Sequence, residues 1–552
     1  MKAEEIHTLV DECLRRLHEA GAVVHLVTCD QGPSNQKLFN SCLKVSEESP
    51  CFMSGGRNYF ASFDFPHLIK RLLSTLRTHK ILYWRGQIIA SYEDFVKTWR
   101  YDNCSTTSNL LSHISEAHLF PSSFQAMNVK RAFQILSRRF AAAITTAGKD
   151  PHGLNTETWQ ASAAFAERMN KVIDSCNAYE LLCRNPDKRP LADKNPEIEE
   201  TLTEFVKFSS EWTIADPRRK GTAENTSQPP VMKKVPCLRG LPLTVRAILL
   251  TYTTIKEKYP GFELASGLCN QDSVEHLFSK FRQRGGHNPN PTARMVRLSL
   301  RHILSTGYIG SGSRGNVQCP DAVALIEPCT MVARAFDTPE SMPADPTEHE
   351  FDEDTAEVEN AVEALRQEQE TEMANAETSK ETKLPSYELC AINYFAGYVA
   401  QRNLRKFPCD RCRFETLKTP MEASSPNEVY TELREYEHAD ADAPSVSYLS
   451  RPTDKFESIV RSQLEAFYRL WKTHWACEGL LINLIDDIIT DTARLYPDWF
   501  HEGDECLQHR IELLRFMVKV KVFAQTTFNN RAVGSSRTIH KLNSKLQKIK
   551  GI

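Results

Sequence analysis

The chain has 552 residues, 41% of them apolar and 25% charged, which excludes a wholly disordered protein and allows two to four domains with real cores. Its formal charge of −3 excludes little by itself, because acids and bases are unevenly placed. The opening residues are charged throughout and no apolar run reaches bilayer length, so no membrane segment is expected; sixteen cysteines without framework spacing favour free thiols in a reducing compartment over disulfides.

Residues 1–20 read as one amphipathic helix, with Ile6, Leu9, Val10, Cys13, Leu14 and Leu17 at three- and four-residue spacing and Gly21 as the stop. Ala22–Cys29 is short and β-branched between that glycine and an Asp-Gln-Gly turn, which predicts a buried strand ending at Asp30. Tyr59–Phe65 is a second strand, after which Pro66 opens a basic amphipathic helix. From about 80 to 270 the pattern is mainly helical, including Val129–Ala143 and Thr158–Cys183, with a polar gap at 216–235 read as a disordered loop. Helix resumes over Leu243–Lys258 and again around Glu275, where Val274, Leu277, Phe278 and Phe281 are expected to form the buried face.

Between Asp337 and Glu381 sixteen acids stand against two bases, a local net of −14 that leaves +11 on the rest of the chain. Conversely, His276 to Pro320 holds seven Lys and Arg and no acid, a stripe able to neutralise phosphates over 276–314; a solvated basic helix face is the alternative. Residues 386–552 form a last helical region ending in a basic tail.

Cutting a phosphodiester with bound metal ions requires carboxylates that converge, commonly one at a strand end and one on a neighbouring helix. Asp30 has the first position and Glu275 the second, but a bare pair so far apart in sequence does not define a site. The segments CDQGPSNQ, FDFPHLIKRL, HLFPSSFQAMNVKRAFQILS and NQDSVEHLFSKFRQRGGHNPNPT, in this order across roughly residues 20–310, resemble the transposase core of the P-element family. That resemblance implies an RNase H-like fold interrupted by a helical insertion that binds GTP, with three acids holding catalytic Mg²⁺ or Mn²⁺. It places the second acid on Asp30 and the third on Glu275.

The expected organisation is mostly α with a small α/β part. It comprises a partial RNase H-like core over 1–70, a helical GTP-binding-type insertion over 71–268, an RNase H-like C-terminal part over 269–336, an acidic disordered linker over 337–385 and a helical C-terminal region over 386–552. No residue is assigned to the family's first acid, since Asp11 and Glu12 sit on a helix and Asp64 follows the second acid. Strand transfer by this chain alone is therefore not expected. Without the preceding strands the edge and faces of Ala22–Cys29 would be bare, so either an upstream segment is missing or something covers them. The zinc domain that reads DNA sequence in the family has no counterpart here, and sequence-specific DNA reading is not expected.

The resemblance also implies guanine contacts at Asp174 and Asn177, a further acid at Asp272 and a backbone contact at Val129. Asp174 and Asn177 stand one helical turn apart and are expected to share a face; the alternative is that both are surface helix residues. The family's two phosphate-binding lysines fall at His113 and Asn128, so any GTP affinity is expected to be weak. Cys409 and Cys412 have a CxxC spacing suited to zinc, with His501, Cys506 and His509 as candidates to complete it and an unmetallated thiol pair as the alternative. His67 is read as a packing or hydrogen-bonding residue. No Ser-His-Asp order, P-loop or dinucleotide glycine motif occurs.

The function expected is that of a transposase-derived protein whose ancestral activity is metal-dependent DNA cleavage and strand transfer with GTP as cofactor. Catalysis is expected to be lost, with DNA and a homo-oligomer as partners; the resemblance implies the nucleus as location, the cytoplasm being the alternative. The alternative is a non-catalytic nuclear DNA- or protein-binding protein domesticated from a transposon.

Overall fold

The computed structural model describes residues 2–306 apart from 105–106, 123–124, 184, 216–230, 284–287 and 289, and residues 386–533 apart from 420–421, 436–448, 475–479 and 502. The acidic stretch 337–385, most of the 216–235 gap, Arg284, Arg314 and the basic tail lie outside the described residues. The described chain is mostly helical with two small sheets, in two compact units: residues 1–93, 121–137 and 161–343 form one, and 94–120, 138–160 and 344–552 the other. No described helix is long and apolar enough to cross a membrane.

The first unit opens with the Ala3–Glu19 helix, whose Glu4 and Glu5 favour its amino end and whose Arg16 and His18 favour its carboxyl end. Strands β1 (Leu26–Cys29), β2 (Cys51–Ser54) and β3 (Arg57–Phe63) form a sheet of order β1-β3-β2. β2 and β3 make a hairpin in which Gly55 and Gly56, with φ of 55° and 76°, supply the two left-handed residues that a tight twist-matched turn requires. β1 pairs with β3 in parallel, Leu26 opposite Phe60 and Cys29 opposite Phe63. The expected buried strand is shorter than Ala22–Cys29: all four β1 residues are half-buried and Val23 is 73% exposed, because β1 is the sheet's edge.

The Pro236–Lys258 helix covers this sheet, and the Phe65–His79 helix packs on that helix. The Phe65–His79 helix buries Leu68, Ile69, Leu72 and Leu76, and the Pro236–Lys258 helix lies against β3. Thr244 fixes the latter by hydrogen bonding both ways with Phe63, accepting from its amide at 2.9 Å and donating to its carbonyl at 3.1 Å. Gly240 is the point of closest approach, since a Cβ there would stand 2.6 Å from Gln31 Nε2 and 2.9 Å from Leu68 Cδ2.

The region 80–270 is mainly helical as expected, and it also holds a second sheet of order β5-β4-β6-β7: β4 (Ile81–Trp84), β5 (Gln87–Ser91), β6 (Trp212–Ala215) and β7 (Met232–Lys233). Fully buried Trp212 anchors it, with the rings of Phe165, Phe205 and Phe208 each 5.5 Å away. The single helix expected over Val129–Ala143 is two, Val129–Ile135 and Arg138–Lys149.

The second unit is helical. A core among the described residues joins the Ser386–Lys406, Asp454–His474, Leu480–Leu495 and Leu507–Val533 helices through Ile392, Val399, Phe456, Leu464, Phe467, Leu484, Ile488, Leu514 and Met517, all essentially inaccessible. The start of the Ser386–Lys406 helix is held by buried carboxylates. Asp102 accepts from the Leu110 and Leu111 amides at 2.7 and 3.1 Å and from Tyr387 Oη at 2.9 Å, and Asp150 accepts from Ser386 Oγ and the Tyr387 amide. Burial pushes the Asp102 carboxyl up to about 7 despite these donors.

Candidate functional site

Because β1 and β3 run parallel and in register at Cys29 and Phe63, the residues that follow, Asp30 and Asp64, emerge side by side at the carboxyl end of the pair. The Asp64 amide donates to the Cys29 carbonyl at 2.8 Å. This end of a parallel pair is where α/β sheets characteristically present ligand-binding groups. Burial pushes the Cys29 thiol well up, and the negative charges of Asp30 and Asp64 add to the effect, as expected for a residue flanked by both.

The two acids are used differently. Asp30 is exposed, and its Oδ1 accepts from the Gly32 amide at 3.1 Å and from Asn35 Nδ2 at 2.6 Å; Oδ2 takes part in neither bond. A Cβ on Gly32 would sit 3.0 Å from that same Oδ1, so the turn is built around the carboxylate. Asp64 is buried and saturated. It caps the Phe65–His79 helix through the His67 amide at 3.0 Å, and its other oxygen accepts from the Gln271 amide at 2.7 Å.

The Gln271 bond brings the third acid into place. Thr28 Oγ1 donates to the Cys269 carbonyl at 2.9 Å, so the segment leading into the Asp272–Gln283 helix is stapled across the ends of both strands. Glu275, one turn into that helix, has Oε1 3.5 Å from His67 Nε2, while His67 Nδ1 lies 3.2 Å from Asp64 Oδ2. His67, read from the sequence as a hydrogen-bonding residue, bridges the two carboxylates. Lys70, one turn further along the His67 helix, completes the cluster. Burial lowers its pKa, while Glu275 most strongly, then Asp64 and Asp30, pull it back up, so all three acids lie within electrostatic reach of one ammonium group.

The buried face expected for the Asp272–Gln283 helix is corrected in part: Phe281 is buried as expected and Leu277 half-buried, but Val274 and Phe278 are 47% and 48% exposed, and Asp272 and His276 turn inward. The next helix, Ala293–Thr306, exposes Leu298, Leu300 and Leu304 together with Arg294, Arg297 and Arg301. Arginine and apolar surface thus alternate on this part of the basic stripe.

The residues assigned to guanine recognition divide between two environments. Asp174 is largely enclosed, accepting from Asn170 Nδ2 at 3.1 Å and Asn185 Nδ2 at 3.2 Å, with Lys188 Nζ at 3.8 Å. Burial raises its pKa. Asn177, beyond the end of the Trp159–Cys176 helix, instead meets Asn270 Nδ2 at 3.3 Å. The two residues of this pair therefore have different partners. Asn270 also donates to Asp272, which accepts from Tyr179 Oη as well. Burial is the main cause that pushes the Asp272 carboxyl up to about 6, with Asp64 and Glu275 adding. Asp272 is thus tied to the carboxylate cluster as much as to Asn177. Val129 is buried at the start of its helix, and Asn128 before it leaves a buried Oδ1 without a partner. His113 is buried and its pKa lies well below the usual histidine range through burial and neighbouring Arg139, so it carries no charge to offer a phosphate.

In the helical unit Cys409 and Cys412 are joined by Cys506 and His509, one ligand atom from each lying within 4.8 Å of the others, whereas His501 is outside the group. The signal available in the sequence was the repeated spacing, CxxC at 409 and CxxH at 506.

Comparison with known proteins defines the class first. Family models described as the TNP-like RNase H N-terminal domain, the TNP-like GTP-binding insertion domain and the TNP-like RNase H C-terminal domain match residues 1–42, 66–190 and 269–296 respectively, in the order of a transposase core split by an insertion. The Drosophila melanogaster transposable element P transposase is 26% identical over 306 residues, covering 53% of this chain and 37% of the relative, so the chain spans little more than a third of that protein's length. These matches bear out the resemblance to P-element-like transposases that the sequence motifs carry. Among solved structures, the Drosophila P element transposase strand transfer complex is similar with a TM-score of 0.45 and 24% identity, covering 53% of this chain and 63% of the other.

Proposed function

We propose that this chain is a transposase derivative that keeps two working metal-ligand positions, Asp30 and Glu275, and is silent in DNA cleavage and strand transfer when alone. The observation that carries this reading is the contrast between Asp30 and Asp64. Of the two acids at the strand ends, Asp30 has an oxygen outside its hydrogen bonds and Asp64 has both oxygens committed to backbone amides. Asp64 is therefore a structural cap and does not replace a third ligand.

Asp30 and Glu275 fit a divalent cation as hard oxygen donors, and Mg²⁺ or Mn²⁺ held there would acidify a bound water and stabilise charge on a phosphodiester. His67 sets the Glu275 carboxylate from behind, and Lys70 offsets the negative charge of the cluster before any cation arrives. A pair of carboxylates holds a metal ion more weakly than a set of three, so the proposed silence is that of Asp30 and Glu275 acting without a further ligand.

GTP fits less well. Asp174 is occupied by Asn170, Asn185 and Lys188, Asn177 faces Asn270, and His113 and Asn128 bring no positive charge. The GTP contacts of the family are thus proposed to be vestigial. DNA is the proposed partner through the exposed Arg282, Arg294, Arg297 and Arg301, in a nuclear setting. The test is a nicking assay on terminal-repeat DNA with Mg²⁺ or Mn²⁺. Absence of cleavage together with salt-sensitive DNA binding is expected; cleavage abolished by Glu275→Ala would overturn the proposed silence.

A further inference from the structure

We propose that Cys409, Cys412, Cys506 and His509 form a closed, four-coordinate structural zinc site that pins the start of the Leu507–Val533 helix to the Asp410–Thr416 helix. The proposal is independent of the transposase reading, since the matched domains end at residue 296.

The geometry of the four atoms is that of a metal cage. Tetrahedral zinc with sulfur bonds of about 2.3 Å and nitrogen bonds of about 2.05 Å has sulfur–sulfur edges of about 3.8 Å and sulfur–nitrogen edges of about 3.6 Å. Cys409 Sγ and Cys506 Sγ are 3.7 Å apart, and Cys412 Sγ and His509 Nδ1 are 3.5 Å apart. Two edges contributed by residues 97 positions apart in sequence match that tetrahedron. A disulfide would need its sulfurs at about 2 Å instead.

The chain builds the cage by using one local device twice. Cys409 caps the Asp410–Thr416 helix, its sulfur facing the Cys412 amide at 3.5 Å, and Cys412 follows on the first turn. Cys506 immediately precedes the Leu507–Val533 helix, its carbonyl accepting from the Arg510 amide at 3.1 Å, and His509 follows on the first turn. Each helix start thus presents a pair of ligands three residues apart. Phe407 stacks on the His509 imidazole at 5.0 Å, restricting its rotation.

Ligand number decides between a structural and an exchangeable site. Four protein ligands fill a tetrahedral shell and leave no position for water, and Cys412 and Cys506, 4% and 2% exposed, pack with Leu404 while Cys409 and His509 are half-buried. Around the cage ion pairs tie the same two helices: buried Arg510 meets Glu415 at 2.6 Å and Asp504 at 3.0 Å, and Arg411 meets Asp504 at 3.1 Å. Three thiolates and one imidazole are a soft donor set that selects zinc over Mg²⁺ or Ca²⁺.

The full chain, purified without chelator, is to be analysed for metal by mass spectrometry and reconstituted with Co²⁺ after acid stripping. The expected result is one zinc per chain and a cobalt spectrum of tetrahedral sulfur-rich type. The Cys412→Ser variant is expected to fall to no zinc, while Cys13→Ser, an exposed thiol in the other unit, keeps one. His509→Cys is expected to retain the metal and shift the cobalt d–d bands toward the all-sulfur position, a readout that general misfolding does not imitate. A wild-type chain without zinc, a Cys409–Cys506 disulfide in the unreduced protein, or zinc retained in a Cys409→Ser/Cys506→Ser double variant would each overturn the site.

Discussion

The two units bury their carboxylates in opposite ways. In the helical unit Asp102 is wrapped by two amides and a phenol, Glu388 accepts from the Thr107 amide and hydroxyl at 2.8 and 2.6 Å, and Glu457 accepts from Asn393 and Asn427. In the α/β unit Asp64 is treated likewise, but Asp30 is exposed with one oxygen outside its hydrogen bonds, and Glu275 is half-buried with no neighbour nearer than the His67 ring at 3.5 Å among its ion pairs. A buried acid whose oxygens are all spent on donors holds elements together; an acid with capacity left over is free to hold a ligand.

This contrast can be broken by mutation, with the largest effect in the helical unit. Asp102→Ala leaves the Leu110 and Leu111 amides and the Tyr387 hydroxyl without an acceptor in a dry interior, and is expected to cost on the order of 4 kcal/mol in chemical denaturation, with Asp102→Asn costing less. Asp64→Ala removes a helix cap and the anchor of Gln271, and is expected to cost about 2–3 kcal/mol. The pH dependence separates these acids further. The folded Asp102 carboxyl is raised from 3.8 to about 7, so the folded state holds the extra proton and this group's contribution to stability declines as pH rises from 4 to 7. Asp102→Asn is expected to flatten that decline in denaturation curves taken across the interval. The smallest effect belongs to the open acids: Asp30→Asn and Glu275→Gln are expected to move stability by no more than about 0.5 kcal/mol, measurable as nearly unchanged denaturation midpoints.

Much of the open site was legible in the sequence, because local signals wrote it. A β-branched run closed by Asp-Gln-Gly marks the strand end at Asp30, and Pro66 marks the helix that carries His67 and Lys70. What escaped was the register. Both strands end in Asp, at Cys29-Asp30 and Phe63-Asp64, but only the parallel pairing makes those ends neighbours. The long-range half of the second sheet escaped because β4 and β6 pair across more than a hundred residues, where local periodicity carries no information, whereas β4 and β5 form a local hairpin. The Val274 and Phe278 face was misjudged for a related reason: helical spacing identifies an apolar stripe but not whether anything packs on it. Cys506 and His509 were visible as candidates, and what set them beside Cys409 and Cys412 is tertiary packing of two helix starts.

The most direct test of the account is Mn²⁺ binding by the intact chain, followed by the loss of the free-ion electron paramagnetic resonance signal. One weakly held Mn²⁺ is expected in the wild type and in Asp64→Asn, and none at the same concentration in Asp30→Asn or Glu275→Gln. Binding that survives both of the latter substitutions, or that disappears only with Asp64, would contradict the assignment of the open carboxylates as the metal-holding pair.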